Sequence, residues 1–533
     1  MGDSTTMRDV LLTPLDLTLK AAACMRTTVF LARDPRAGQR QILADLLRQG
    51  AATRFGWDHG LAGLADLPFR EGYERFRSQV PIRTYADFWR DYFSSGLRPF
   101  RDRPSLLLDD VTWPGRIPLF CETSGTTAPT KFVPFSREMF AANKRAALDL
   151  TAGYLAAHPE SALMRGKILY MAGNTNLTDH GDGVFSGDMS AITLCHPPRF
   201  LKPFVAPGPE VSALPWEEKL ETLARLILND KSIRAISGVP PWILLLLQRC
   251  AEMGRRPLQE LLPRLELIIH GGTSMKPYRR EFDALFGSTP PSFLEVLPSS
   301  EAFMGFQLAG DRQMRLTPYY GAFFEFVPME SLGDNGAPPP DAAAIPLEEV
   351  EVGRRYAVIL TTCAGLWRYH IGDTIRFTAT DPLFIEFTGR DRFLDRFEEK
   401  VTQGEVEEAV AQLNRLKGVE IDEFMVGPAI DDRCHLWILA GCAGGMPVTA
   451  VADLLDGMLR EQNADYATFR QQGRMAAPQV MMVPPDAIYD WSRRVRGKVG
   501  GQSKIPHIDP TPEGEMIRSL AAFVSSHFHK DRV

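Results

Sequence analysis

From about residue 110 to about residue 395 the chain alternates between short apolar runs and amphipathic stretches, and this alternation restricts the fold more than any other feature. Apolar runs at 117–121, 167–172, 265–270, 292–297, 323–327, 356–361 and 383–387 read as strands. Helical patterns follow several of them: 137–158 behind the cap candidate Ser136, then 240–253 and 277–286. Strands alternating with helices bury a sheet between helical layers, an α/β domain. Ligands of such domains sit on loops beyond the strand ends.

The chain has 533 residues, more than the roughly 250–300 at which one core usually stops growing, so more than one domain is expected. Residues 1 to about 110 read as mostly helical; Ile42, Leu43, Leu46 and Leu47 mark one apolar helix face. Near 396 a second unit begins, with helices at 405–416 and 448–461, strand-like runs at 423–426, 435–440 and 480–483, and a helical tail at 513–528. The expected architecture is a large N-terminal α/β domain over 1–395 and a small C-terminal α+β domain over 396–533.

Charge and cysteine usage narrow the function. A net charge of −6 argues against nucleic acid as a partner of the whole surface. The seven cysteines include no C-x-x-C pair, which suits a reducing compartment and a cytoplasmic protein. Ten histidines without an H-E-x-x-H run leave no dedicated metal cage. The longest apolar run, 242–247, is far short of the ~20 residues of a membrane helix.

Four segments carry chemistry. In the first, Thr123, Ser124, Thr126 and Thr127 surround Gly125, and Lys131 closes the run. Such a loop wraps N–H and hydroxyl donors around phosphate oxygens and adds a cation; equally, its hydroxyls can serve only the turn backbone. It is no Walker loop, because Phe132 follows Lys131. The second, Ser299-Ser300-Glu301, follows a strand, where a carboxylate suits Mg²⁺ on nucleotide phosphates; the alternative is a helix N-terminus capped by Ser299 or Ser300. In the third, Gly365 to Asp373, Asp373 follows Gly372 as if in a turn, placed for ribose hydroxyls or for an Asx-turn. Arg390, in Gly389-Arg390-Asp391, reaches ribose or phosphate, or is a surface arginine. The fourth, residues 493–506, holds five cations and three glycines, a mobile loop over a polyanion or a solvated basic turn.

In this order the four segments resemble the acyl-acid amido synthetase family, known from plant auxin-responsive proteins and bacterial relatives. That family is a branch of the acyl-adenylate-forming superfamily. Residues 123–131 are similar to its phosphate loop, 299–301 to its second motif, 366–373 to its third, and Gln502-Ser503-Lys504-Ile505-Pro506 to its C-terminal segment with the catalytic lysine. The resemblance covers about 40–507. Two departures stand out: the phosphate loop is a residue shorter than in plant members, and Leu297 holds the place of an adenine-stacking aromatic.

The resemblance implies a ligase that binds ATP and Mg²⁺ between its two domains. Thr123 to Lys131 would hold the phosphates with Ser299 and Ser300 nearby, and Glu301 the metal. Asp373 would take the ribose, with Arg390 beside it, and Lys504 the developing charge; Lys400, near a hinge at 390–400, is a further nucleotide contact. A small carboxylic acid would be adenylated and its acyl group passed to an amino-acid amine. Thioester formation with CoA or a carrier protein, or a silent binding protein on the same scaffold, are the alternatives. Trp242 and Phe303 are expected to wall an acyl pocket for an aromatic or aliphatic acid.

Overall fold

The computed structural model describes residues 7–101, 103–123, 131–196, 202–273, 275–333, 337–390, 393–394, 399, 401–429, 433–496, 505–511 and 513–528. Among them the main sheet has twelve strands. Its first half is parallel: Lys167–Tyr170, Ile233–Gly238, Leu267–Gly271 and Ser292–Pro298 run side by side. From Phe303–Phe306 onward the pairing turns antiparallel, through Met314–Leu316, Leu383–Arg390, Tyr369–Thr380, Arg355–Thr362 and Ala322–Pro328. Helices cover both faces, as the alternation requires. The pair Trp216–Asn229 and Pro240–Gly254 packs Leu223, Ile227, Ile243 and Leu247 over Leu169, Ile236 and Ile268. On the other side Arg137–Ala157 brings Met139, Ala142, Ala146 and Leu150 into the core that includes Phe306 and Tyr320. Its start is fixed as expected, the Ser136 hydroxyl accepting from the Met139 N–H at 3.0 Å.

The helix and strand expectations hold in kind, with ends shifted by a few residues. The Ile233–Gly238 strand escaped notice because Arg234 and Ser237 interrupt its apolar run; Arg234 is neutralised by Glu266 at 2.5 Å. A second sheet of four strands contains Leu119–Thr123, Lys131–Phe135, Val184–Gly187 and Thr178–Gly181.

From Leu394 onward the chain buries its apolar side chains in clusters of its own. A three-stranded sheet, Val419–Ala429, Cys434–Ala443 and Gln479–Val483, carries Gln403–Leu413 and Val448–Gln462 on one face. Ala487–Arg496 and Glu515–Phe528 pack on the other. This C-terminal unit meets the rest of the protein through polar contacts and through the rings of Trp242 and Tyr489. Lys276 Nζ lies 3.2 Å from Glu408, and Arg280 Nη1 donates to the Asn414 and Val419 carbonyls at 3.2 and 2.8 Å.

Candidate active site

The segment expected to be a phosphate loop is flanked by two antiparallel strands whose last paired residues are Thr123 and Lys131. Ser124, Gly125, Thr126 and Thr127 lie outside the described residues, but both ends of the loop are fixed. The Lys131 ammonium sits 5.6 Å from the centroid of the Tyr85 ring, a cation–π distance. The Tyr85 hydroxyl accepts from the Phe132 N–H at 2.7 Å, and burial raises its pKa to about 12. The helix Tyr85–Asp91 thus clamps the residue that follows the loop.

The other end is held by a chain of hydrogen bonds that sequence reasoning missed. The Leu106 N–H donates to His180 Nδ1 at 3.1 Å. With Nδ1 accepting, the neutral ring carries its proton on Nε2 and donates to Ser186 Oγ at 2.7 Å. Ser186 then donates to Glu122 Oε1 at 2.6 Å, one residue before Thr123. The signal that was present is Gly181-Asp182-Gly183: Asp182 at φ 52° and Gly183 at φ 77° make the tight hairpin that sets His180 and Ser186 side by side.

Ser299 to Glu301 is not a helix start. The Ser292–Pro298 strand turns back into Phe303–Phe306, and Ser299 closes the hairpin, its N–H donating to the Ala302 carbonyl at 2.9 Å and its Oγ accepting from the Ala302 N–H at 3.0 Å. Glu301 is 9% exposed on this turn. The Cys121 thiol, on the strand that ends at Thr123, is pushed well up first by burial, then by the carboxylates of Asp188 and Glu301. Leu297 is buried in the strand opposite Gly305.

Asp373 is not in a turn either. It lies inside the long Tyr369–Thr380 strand, where 371–373 stand opposite the single residue Val358. Such a bulge needs a residue of unusual backbone, and Gly372, at φ 83°, supplies it. On its other side Asp373 is the register partner of Arg390, so the strand pairing brings these two expected residues together. Most of the remaining motif is core. Trp367 Nε1 donates to the Thr112 carbonyl at 2.9 Å. Arg368 is fully buried against Glu325, its Nε 3.1 Å from both carboxylate oxygens, while Nη1 donates to the Arg77 and Val80 carbonyls at 3.0 and 2.7 Å.

The expected acyl-pocket residues fall on different elements. Trp242 opens the Pro240–Gly254 helix, its ring 4.2 Å from Trp216 and 5.9 Å from Tyr489 of the C-terminal unit. Phe303 packs edge-on against Phe306 and Tyr320, centroids 6.1 and 6.3 Å away. Lys219, also unforeseen, is buried with Nζ donating to the Ala172 carbonyl at 2.5 Å and the Ser212 carbonyl at 3.2 Å; burial lowers its pKa to about 8. It pins the turn that leaves the Lys167–Tyr170 strand. Lys400 and Lys504 lie outside the described residues.

A sheet half parallel and half antiparallel, helices on both faces and a docked C-terminal domain make this the fold of the acyl-adenylate-forming enzymes. It superposes on a GH3.15 acyl acid amido synthetase with a TM-score of 0.70 at 18% identity, covering 92% of this chain and 94% of that one. It superposes on a 2-hydroxyisobutyryl-CoA ligase in its postadenylation state with a TM-score of 0.53 at 13% identity, covering 91% of both chains. Descriptions of the N-terminal, central and C-terminal domains of the GH3 family match residues 25–217, 316–390 and 404–513, and the chain belongs to that family. An indole-3-acetic acid-amido synthetase of Arabidopsis thaliana, GH3.4, is 30% identical over 171 residues, which are 30% of this chain and 28% of that protein. The matched stretch therefore spans little more than a quarter of that relative's length.

Proposed function

We propose that this GH3-family chain is an ATP-dependent ligase that adenylates a small, mainly apolar carboxylic acid and transfers the acyl group to an amino-acid amine. The observation that carries the reading is that the strand pairing brings two of the expected nucleotide residues together. Asp373, in the bulge of the Tyr369–Thr380 strand, is the register partner of Arg390. In this reading residues 123–131 grip the phosphates, Ser299 and Ser300 shape the turn beside them, and the Asp373–Arg390 pair takes the ribose. Lys504 is the cation at the α-phosphate and Lys400 a second contact near the hinge.

Glu301 is a single carboxylate, and among the described residues no cluster of three or more His, Cys, Asp or Glu could hold a metal. That donor set suits Mg²⁺ arriving on nucleotide phosphates, where the ion would neutralise charge. The acid's carboxylate oxygen attacks the α-phosphorus and pyrophosphate leaves. The amine nitrogen then attacks the acyl carbon, AMP leaves, and the nitrogen loses a proton to water. Little covalent chemistry falls to the protein, so positioning and cations carry the rate.

We also propose the division near residue 395, supported by the separate clusters on either side. A cytoplasmic location is supported by seven cysteines that form no disulfide among the described residues. An aromatic acid is supported by the names of similar proteins, which act on indole-3-acetic acid or are solved with 2,4-DB.

The test is carboxylate-dependent exchange between pyrophosphate and ATP over a panel of acids that includes indole-3-acetate and 2,4-DB. Exchange with at least one acid is expected; none with any acid would overturn adenylation. Lys504→Ala should slow exchange on the order of 10²–10³-fold, by analogy with loss of one oxyanion donor. Product masses after competition between amino acids and CoA should show the amide.

A further inference from the structure

The segment that leaves Lys504 enters the C-terminal domain through a buried charged cluster that the reaction above does not use. His507 is 4% exposed. Its Nδ1 lies 2.8 Å from Glu407 Oε1 and its Nε2 3.2 Å from Glu423 Oε1. A neutral imidazole donates from one nitrogen only and would turn a lone pair on the second carboxylate. Only the imidazolium satisfies both. The ring also stacks on Phe424, centroids 4.1 Å apart.

The backbone on both sides of the ring is locked to the central part of the Val419–Ala429 strand. The Val426 N–H donates to the His507 carbonyl at 2.8 Å, and the Asp509 N–H donates back to the Val426 carbonyl at 2.7 Å. Ile505 is buried in the cluster formed by Met425, Ile438 and Trp491. The next residue toward the N-terminus is Lys504, so whatever course the loop takes, it starts from a fixed point.

The cluster also faces the large domain. Glu423 accepts from the Tyr489 hydroxyl at 2.9 Å, and Gln403 donates to Glu407 at 2.7 Å. Tyr278, on the large domain, is held far above the ordinary phenol range by burial first and then by Glu423, Glu407, Glu281 and Asp422. A narrow cleft lined by Val239, Trp242, Tyr278, Glu423, Tyr489 and His507 separates the two domains here. His507 is the cation that two of these carboxylates share.

We propose that His507 is a positioning residue: its imidazolium, clamped between Glu407 and Glu423, anchors the chain at Ile505 and so fixes the base from which Lys504 reaches the nucleotide. The proposal rests on the ligase reading given above. Removing a clamp of this kind lets the catalytic group wander, and displacements of an ångström are enough to cost rate. His507→Gln keeps a polar side chain of similar size and removes the charge. His507→Arg restores a planar cation that can span two carboxylates and stack on Phe424.

The experiment uses the full chain and whichever acid of the panel supports exchange. His507→Gln is expected to lower kcat of pyrophosphate exchange about tenfold or more, with KM for ATP changed less than about twofold. His507→Arg should recover most of the loss. In parallel, the Val426 and Asp509 amides should exchange with deuterated solvent faster in the Gln variant. Wild-type kcat in His507→Gln would overturn the proposal, as would an Arg variant that melts cooperatively yet is as slow as Gln. If Gln prevents folding, the folded Arg variant decides alone, active in support and inactive against. A wild-type protein without exchange on any acid overturns the ligase reading instead; unaltered deuterium exchange at both amides in the Gln variant would then still overturn the anchor.

Discussion

At Arg368 a fingerprint residue turns out to be structural. Its side chain is fully buried with Glu325, Tyr73 adds a hydrogen bond to the same carboxylate at 3.0 Å, and Nη1 ties the pair to the carbonyls that end the Phe69–Gln79 helix. Removing one partner of a buried ion pair leaves an uncompensated charge. Arg368→Met should therefore cost about 3–5 kcal/mol of stability in urea titration, and the Glu325→Leu/Arg368→Met double variant should regain much of it. A single variant as stable as the wild type would refute the assignment. Ser186 is a second buried polar residue, and its hydrogen bonds to His180 and Glu122 lead to the strand that ends at Thr123. Ser186→Ala breaks the link between His180 and Glu122 and should raise KM for ATP several-fold, the effect of about 1 kcal/mol, with a smaller change in kcat. Steady-state kinetics at varied ATP would show it. Beyond the Gly181-Asp182-Gly183 turn, little of this was visible locally. His180 and Ser186 are ordinary residues in the sequence, and Glu122 is their partner only because two strands lie parallel.

At the scale of elements, about half of the strands of the main sheet were legible, those whose apolar runs bounded by Gly and Pro leave few other readings; the long Tyr369–Thr380 strand was not, because Asp373, Thr374 and Arg376 interrupt its pattern. The helix alternative for the second motif and the turn expected of the third both fail for a shared reason. Ser-Ser-Glu serves a hairpin turn as well as a helix start, and Gly-Asp serves a bulge as well as a turn. What decides is the partner strand, Phe303–Phe306 in one case and Arg355–Thr362 in the other, and local sequence does not announce it. The C-terminal sheet carries its own test. Burial works against the His507 charge, but the hydrogen bonds to Glu407 and Glu423 outweigh it and raise the pKa to about 10. A histidine raised above its unfolded value of about 6.5 stabilises the fold fully below that pH and ceases to as pH climbs through the folded pKa. The stability advantage of wild type over His507→Gln should thus be greatest near pH 6, shrink above about 6.5 and be gone past about 10. Urea midpoints of both proteins across that range would check it; a difference that did not vary with pH would contradict the charged state.

For the whole molecule, the joint between the two domains is polar and narrow. Lys276 reaches Glu408 across it and stands 3.6 Å from Glu386 on its own side, while Arg280 binds backbone carbonyls at the end of the Gln403–Leu413 helix and the start of the next strand. Contacts of this kind are exposed, individually worth little, and screened by salt. They suit an interface that forms and breaks rather than one that is permanent. Lys276→Ala combined with Arg280→Ala should leave the thermal midpoint within a few degrees, because neither residue belongs to a core, yet broaden the distribution of domain separations in small-angle scattering. A scattering profile unchanged from wild type would mean that the other contacts across the joint, the ion pairs of Arg355 with Glu405 and Arg493 with Glu217 and the rings of Trp242 and Tyr489, hold it without these two residues.

The buried state of Trp367 and Arg368 has a consequence for how such chains diverge. Within one nine-residue stretch, the positions that keep the protein folded come first, and the carboxylate proposed to hold the nucleotide comes last. A gene copy released from catalysis would lose Asp373 long before it could tolerate changes at Trp367 or Arg368. Its descendants would go on carrying most of the signature while turning over nothing, and the aspartate would be the place to look for that silence.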